Sequence, residues 1–436
     1  MSKNLSRRDF MVRTAALMAA PMIVPRYVLG GRKFKSPSEK INIGFIGIGY
    51  QARGHLRFCV AHPDCKVVAV CDVDTTRRLD SKKIVDDWYS ADTTYKGCDA
   101  YENFRELIAR KDIDAVFIGT PDHWHVIPAV EAMKSGKDVY CEKPLTLTIA
   151  EAKVMVDVAR KNKAILQTGS QQRSDREFRI ACEAVQNGRI GKVIQVYASV
   201  GGPSRPCDLP EEAMEPGLNW DLWLGQAPKR PYNSTLSPRG VHNHFPDWRA
   251  YREFSGGGMT DWGAHHFDIA QWGLGMDTSG PVEITPPADP KSGNGVRYLY
   301  ANGVELIHGD YTDKEGKGHG GVNFVGENGV IHVNRGELES WPPNIVKDPL
   351  SGTEKALMKS PGHQQNFFDC VRDRKLPICD VEIGARSVTV CHLGNLAYQH
   401  GRKLKWDPKA WHFVNDKEAD KWMDRERTAP WKLPKA

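Results

Sequence analysis

An α/β fold with a doubly wound parallel sheet is predicted for the N-terminal half of this 436-residue chain, and further sheet strands for its C-terminal half. Three observations carry that prediction. Short apolar runs alternate with helical segments from residue 40 to 165; the first run enters a Gly47-Ile48-Gly49 turn; and strand-like runs joined by Asn-Gly recur over residues 296–333. A segment 1–33 stands apart, so the expected boundaries are 1–33, 38–165 and 166–436.

Apolar residues make up 40% of the chain and charged residues 26%, the balance of a globular enzyme rather than a disordered or membrane-embedded polypeptide. The formal charge of +6 comes from 60 Lys and Arg against 54 Asp and Glu, and its location decides its meaning. Residues 1–33 hold seven basic residues and Asp9 as the one acid, leaving 53 of each sign in the remainder. A neutral body gives no reason to expect nucleic acid as a partner. The basic segment reads Ser6-Arg7-Arg8-Asp9-Phe10-Met11, then an apolar stretch over 14–24, which is the order of a twin-arginine export signal. That stretch of about a dozen residues is shorter than the ~20 needed to span a bilayer, so no membrane span is expected in the mature chain. The expected destination is the periplasm or cell envelope. Ten cysteines lie singly, without a C-x-x-C pair; most are read as buried small hydrophobes, and an oxidising destination permits a disulfide without requiring one.

The run 40–46 delivers the chain into Gly47-Ile48-Gly49-Tyr50-Gln51-Ala52. Gly47 permits a tight turn, Gly49 lets backbone approach a pyrophosphate, and small Ala52 allows helix to pack closely on strand. A second run, 66–71, ends in Asp72, 25 residues after Gly47, where a carboxylate accepts both hydroxyls of an adenosine ribose and repels a 2′-phosphate. NAD is therefore expected, with NADP the less favoured cofactor. Arg77 and Arg78 are either contacts to such a phosphate or a solvated helix start. A helical segment 101–110, a strand 114–119 and Thr120-Pro121-Asp122-His123-Trp124-His125 come next, then a helix 128–136, a strand 138–141 and Glu142-Lys143-Pro144. Ligands of doubly wound sheets gather at such strand carboxyl ends, so Tyr50, Gln51, Thr120, Pro121, His123, His125, Glu142 and Lys143 are candidate cofactor contacts.

Residues 164–168 read as a strand crossing between domains, followed by Gln172 and Arg173, candidate cofactor or substrate contacts. A long Gly-, Pro- and Trp-rich stretch, 201–246, is expected to be functional or interfacial. Its Trp220 and Trp223 are either packing residues or sugar-stacking rings. The densest chemistry lies at His242-Asn243-His244-Phe245-Pro246-Asp247-Trp248-Arg249 and at Asp261-Trp262-Gly263-Ala264-His265-His266. On a helix, Asp261 and His265 share one face, and a carboxylate beside an imidazole fixes its tautomer and stabilises its protonated form, as a general base requires. The same histidines with Asp261 offer ligands for a divalent ion, but hydride transfer to NAD needs none, and no metal is expected.

The glycine turn, Asp72, Thr120-Pro121-Asp122-x-x-His125, Glu142-Lys143-Pro144 and Asp261-x-x-x-His265 together resemble the glucose-fructose oxidoreductase/inositol dehydrogenase (Gfo/Idh/MocA) family, from about Ile41 to the end. The resemblance implies an N-terminal Rossmann domain and a C-terminal α+β domain with a large open, mostly antiparallel sheet. It also assigns His265 as base, Asp261 as its orienting partner or a substrate acceptor, and Lys143 as donor to the reacting oxygen. Substrate contacts are expected from Arg173, His242, His244, Trp248 and His266. The implied activity is NAD-dependent removal of hydride from a secondary hydroxyl of a sugar or glycoside at a position such as carbon 3. An NAD-dependent glycosidase acting by transient oxidation and a non-catalytic sugar-binding protein are the alternatives. A homo-oligomer, dimer or tetramer, is expected, with contacts on the covered face of the open sheet and the tail, 406–431, wrapping a neighbouring subunit. Export implies a tightly bound cofactor.

Overall fold

The computed structural model describes residues 40–436. Residues 1–33, read in the sequence as an export signal, lie outside the described residues. Among the described residues, no helix is long and apolar enough to cross a membrane.

The first sheet has six strands: β1 (Ile41–Ile46), β2 (Cys65–Cys71), β3 (Asp99–Tyr101), β4 (Ala115–Ile118), β5 (Asp138–Cys141) and β6 (Leu166–Thr168). Their order is β3-β2-β1-β4-β5-β6 and every pairing is parallel. Helices α1 (Tyr50–Ala61), α2 (Thr75–Tyr89), α3 (Phe104–Ile108), α4 (Val126–Lys134) and α5 (Ile149–Asn162) make the crossovers. Parallel strands buried on both faces need apolar side chains throughout, and β4 and β5 are buried at every position. The order reverses between β1 and β4, which opens a crevice above their carboxyl ends. Because β6 belongs to this sheet, the expected boundary at residue 165 falls too early: the strand read as a crossing is the last strand of the first domain. Strand β3, three residues long and outside the runs recognised in the sequence, forms the sheet's edge.

The second half builds a nine-stranded mixed sheet from β7 (Val193–Ala198), β8 (Glu283–Thr285), β9 (Arg297–Leu299), β10 (Glu305–His308), β13 (Val322–Gly326), β14 (Val330–Asn334), β15 (Glu337–Trp341), β16 (Leu404–Asp407) and β17 (His412–Phe413). The pair β7–β10 is parallel and the remaining pairings are antiparallel. Asn302-Gly303 and Asn328-Gly329 turn β9 into β10 and β13 into β14, as the sequence predicts. A two-stranded ribbon, β11 (Tyr311–Thr312) with β12 (Gly318–His319), lies apart.

Helices α6 (Arg176–Gln186), α7 (Gly258–Asp261), α8 (Gly263–Gly273), α9 (His363–Asp373) and α10 (Val381–His400) complete the framework. Helices α6, α8 and α10 pack on one face of the large sheet around Phe267, Tyr298 and Phe324. That face is filled by the chain's own helices, which corrects the expectation that it carries subunit contacts. Helix α9 returns to the first domain, where Phe367 and Phe368 are fully buried against Phe117. Helix α10 serves both cores: Val381, Ala385 and Val388 sit in the first, Val390, Leu393 and Ala397 in the second.

The tail also departs from expectation. It folds back on its own chain: Thr428 N donates to the Gln226 carbonyl at 3.0 Å, Arg427 reaches Glu151 at 2.8 Å, and Trp431 packs edge-on against Trp124 at 4.8 Å. The ten cysteines are free, nine of them buried and Cys207 half-buried.

Candidate active site

A cleft of about 550 Å³ runs over the carboxyl ends of β1, β2, β4 and β5, within the usual range for small-molecule sites. At its floor Gly47 takes φ +75°, and an added Cβ would stand 2.6 Å from Thr120 Cγ2, so both backbone freedom and space demand glycine there. Gly49 precedes α1, and nothing lies within 4 Å of its would-be Cβ. Ala52 is buried beneath the turn, where a Cβ on Gly119 would lie 2.6 Å from its own. The free N–H groups opening α1, the space above Gly49 and the unpartnered, buried Thr120 Oγ1 together fit a dinucleotide pyrophosphate crossing the turn.

Asp72 lines the cleft beyond β2. One carboxylate oxygen accepts from Ile48 N at 2.7 Å and the other from Asp74 N at 2.9 Å, bracing the glycine turn from below. Burial pushes its carboxyl above the ordinary range, against Arg77 and these two N–H groups. Arg77 is buried and grips the 201–246 stretch, donating to Gly240 O at 3.0 Å, to Ser237 Oγ at 3.3 Å and to Pro238 O. It is neither a solvated helix start nor an uncommitted cation. On α1, Arg53 holds the same stretch through His242 O and, at 3.1 Å, Asn243 Oδ1, while Tyr50 meets Phe245 edge-on at 4.9 Å. Residues 237–246 therefore form a strap across the adenosine side of the cleft.

Two loops at the ends of β4 and β5 carry the central groups. His125, fully buried, places its ring nitrogens 3.0 Å from Thr120 O and 2.9 Å from Pro144 O and so ties the loops together. His123 packs away from the cleft among Trp223, Trp124 and Phe254, with Nε2 at 3.0 Å from Trp223 O; burial drives its pKa down to about 3. Both histidines position the wall, which corrects their reading as cofactor contacts. Between them, buried Asp122 accepts from Ser255 Oγ at 2.5 Å, and burial pushes its carboxyl up to about 7. Glu142 lines the cleft, 2.6 Å from His55 Nε2 and 3.2 Å from Gln171 Nε2. Burial raises its pKa, but His55 and Lys143 outweigh that and hold the group ionised.

Lys143 Nζ crosses to the second domain and donates to Asp261 Oδ1 at 2.6 Å and to Asp261 O at 2.9 Å. Asp261 ends α7 and α8 begins after Trp262, with His265 N bonded to Trp262 O rather than Asp261 O and the His265 ring on the cleft wall. The pairing differs from the one expected. The Asp261 carboxylate serves Lys143, not His265, and His265 Nδ1 is buried without a partner among the described residues. Burial, with Lys143 and Arg335 nearby, lowers the His265 pKa well below the ordinary value, so the ring is neutral. Asp261 is held below the carboxylate range because Lys143, Arg249 and Arg335 outweigh its burial.

Gln172, His242 and Trp248 line the same cleft. With its amide oriented to satisfy both neighbours, Gln172 donates to His265 O and accepts from Arg335 Nε, each at 3.2 Å. Arg173, His244 and His266 do not line it. Arg173 is a buried fastener, bonded to Asp268 at 2.8 and 2.9 Å and to Asp277 at 2.7 and 3.1 Å. His266 Nδ1 faces Ser199 O at 2.6 Å, and His244 lies exposed beside His242. Arg173 and His266 each follow a cleft residue on a helical turn, and the rotation from one residue to the next turns them away from the cleft. Trp220 and Trp223 stack on one another at 4.6 Å; Trp220 packs away from the cleft, while Trp223 also lines it. Among the described residues, no three His, Cys, Asp or Glu side chains come together as metal ligands.

The family comparison settles the class. Residues 41–170 match the model of the oxidoreductase family's NAD-binding Rossmann fold, and residues 204–433 match its C-terminal alpha/beta domain. The chain belongs to the Gfo/Idh/MocA oxidoreductase family. This family member is 33% identical to a myo-inositol 2-dehydrogenase of Thermotoga maritima over 168 residues, 38% of this chain and 47% of that one. It is 29% identical to a glycosyl hydrolase family 109 protein of Shewanella pealeana over 214 residues, 45% and 46% of the two chains. The chain thus spans about half the length of the curated relatives it matches. In fold it resembles the WlbA dehydrogenase of Bordetella pertussis, solved with NADH and UDP-GlcNAcA, at TM-score 0.57 and 17% identity over 84% of this chain and 98% of that one. The aldose-aldose oxidoreductase of Caulobacter crescentus, solved with glycerol, gives 0.56 and 18% over 84% and 99%.

Proposed function

We propose that this protein is an NAD-dependent oxidoreductase that removes hydride from a secondary hydroxyl of a sugar or glycoside, with its cofactor retained beneath the 237–246 strap. The observation that carries the reading is the Lys143–Asp261 pair across the domain boundary, beside a neutral His265 on one cleft wall. Bound NAD supplies the hydride acceptor. The Lys143 ammonium has three N–H groups, and Asp261 takes two, which leaves one to stabilise negative charge growing on the substrate oxygen. His265 takes the hydroxyl proton at Nε2, since Nδ1 is enclosed. At the roots of the two loops, Glu142 accepts from Lys143 N at 3.2 Å and Asp122 from the Ser255 hydroxyl, which fixes the segments that carry these groups.

The commitment of Arg77 to the strap supports NAD over NADP, because the guanidinium that would meet a 2′-phosphate is already bonded to backbone. Export to the periplasm or cell envelope is part of the proposal and rests on the Arg7-Arg8 motif and the charge confined to residues 1–33. Outside the cytoplasm a nicotinamide enzyme has no soluble pool to draw on, so a strapped cofactor regenerated in place suits that address.

The test is to release and assay nicotinamide from purified protein, then follow absorbance at 340 nm as glycosides are added. Protein that neither carries nor binds NAD would overturn the reading. Similarity to glycosyl hydrolase family 109 proteins favours one second reading, transient oxidation followed by loss of the aglycone. Free sugar with no net cofactor reduction identifies that course, and a keto-glycoside with reduced cofactor the first.

A further inference from the structure

Two arginines on the substrate side of the cleft have no assigned role. Arg335 arrives from the turn after β14, its guanidinium 4.7 Å over the Trp262 ring, and among the described residues it forms no ion pair. Arg249 lies 4.3 Å over Trp248 and 5.0 Å over Phe245, donates to Pro246 O at 3.1 Å, and keeps Nε 3.6 Å from Asp261 Oδ1. The Asp261 carboxylate is already engaged by Lys143 at 2.6 Å, so Lys143 and Arg249 share one carboxylate and Arg335 lies near it without pairing.

The other acids of this wall are occupied. Glu142 is bound by His55 and Gln171, Asp175 caps α6 by accepting from Glu177 N at 3.0 Å, and Asp122 takes the Ser255 hydroxyl. Among the described residues none of these acids forms an ion pair with either arginine, so Arg335 is left without a carboxylate partner and Arg249 with only the 3.6 Å contact to Asp261, where a substrate would sit. A guanidinium stacked on an aromatic face is held in one plane; Arg335 gives its Nε to Gln172 and keeps both Nη groups for two parallel bonds to an oxyanion, while Arg249, with Nη1 on Pro246 O and Nε facing Asp261, keeps Nη2. Two such groups flank the entrance to Lys143 and His265.

We propose that the substrate carries an oxyanion read by Arg335 and Arg249: a sugar acid or a sugar bearing a sulfate or phosphate ester, rather than a neutral glycoside. The inference rests on the oxidoreductase reading for its chemistry. Its physical content is the pairing of a charged substituent with the two stacked guanidinium groups.

The experiment compares methyl glycosides with matched methyl uronides, 6-sulfates and 6-phosphates, in gluco, galacto and manno configurations, using protein as purified with its nicotinamide. Cofactor reduction at 340 nm gives kcat/KM for each. An anionic compound is expected to exceed its neutral counterpart by about 10- to 100-fold, the range of a charge-assisted bidentate contact. The preference should fall toward unity in Arg335→Gln and persist in part in Arg335→Lys, which keeps charge but not the fork. Which anion leads identifies the group. A wild-type ratio near one, or a ratio unchanged in both Arg335→Gln and Arg249→Gln, overturns the inference and leaves the oxidoreductase reading intact. If no compound reduces the cofactor, that reading fails instead. Tryptophan fluorescence then decides: saturable quenching by glucuronate that is lost in Arg335→Gln supports the anion site, and no quenching overturns it.

Discussion

Lys143 Nζ is bonded to both the carboxylate and the carbonyl of Asp261, 118 positions later in the chain and on the other domain. The two halves of the site therefore exist only when the domains are docked. Replacing Lys143 by Met removes the charge at the reacting oxygen and is expected to lower kcat by at least ~100-fold. Nicotinamide content measured after denaturation should stay near that of the parent, which separates loss of chemistry from loss of cofactor.

His265 is neutral because burial and neighbouring cations disfavour its protonated form. A base is disabled as pH falls through its pKa, so the acid limb of the kcat profile should lie well below the ordinary histidine range. Activity of the parent should be flat from about pH 7 down toward 6. A limb centred near 6.5 would assign the proton elsewhere.

Asp122 carries the opposite shift, with a folded pKa of about 7 against an ordinary 3.8. Between those values the unfolded chain is ionised while the folded one is protonated. Stability from this group is thus complete below about pH 4 and lost as pH rises to about 7. Asp122→Asn, which keeps an acceptor for Ser255, should gain stability relative to the parent as pH rises across that window, by a few kcal/mol at most. Denaturant midpoints at pH 4.5 and 7.5 measure the difference.

Arg173 is buried between Asp268 and Asp277, so its removal strands a carboxylate in the core. Arg173→Met is expected to cost about 3–5 kcal/mol, read as a lowered Tm by calorimetry. The double variant Arg173→Met/Asp268→Leu should recover part of that loss, because it also removes the stranded charge.

Arg77 holds the strap by three acceptors. Arg77→Ala should release nicotinamide at least about tenfold faster on dialysis, followed as cofactor per protein over time. Unchanged retention would show that the cleft holds its ligand without the strap.

Much of the first domain was legible because parallel strands buried on both faces must be apolar runs, and because Gly47 and Asp72 mark a turn and a strand end by chemistry alone. Strand β3 was not: its Asp99 is exposed and its three residues carry no apolar run. The cleft residues were legible as motifs, but their partners were not. Asp261 and His265 stand four apart and read as one helical face, but Lys143, 118 positions earlier, takes both the carbonyl and the carboxylate of Asp261. Arg335 carried no signal, since Asn334-Arg335-Gly336 reads as an ordinary hairpin turn. Arg173, His123 and His266 looked functional because they flank functional positions, and only packing distinguishes a fastener from a contact.

Helix α10 contributes its first half to one core and its second half to the other. A rigid rod shared in this way couples the two domains into a single cooperative unit, for which one melting transition is expected. On the proposed reading, displacement of residues 237–246 is then the motion expected to admit and release the dinucleotide, so a ten-residue segment would set how long it stays bound.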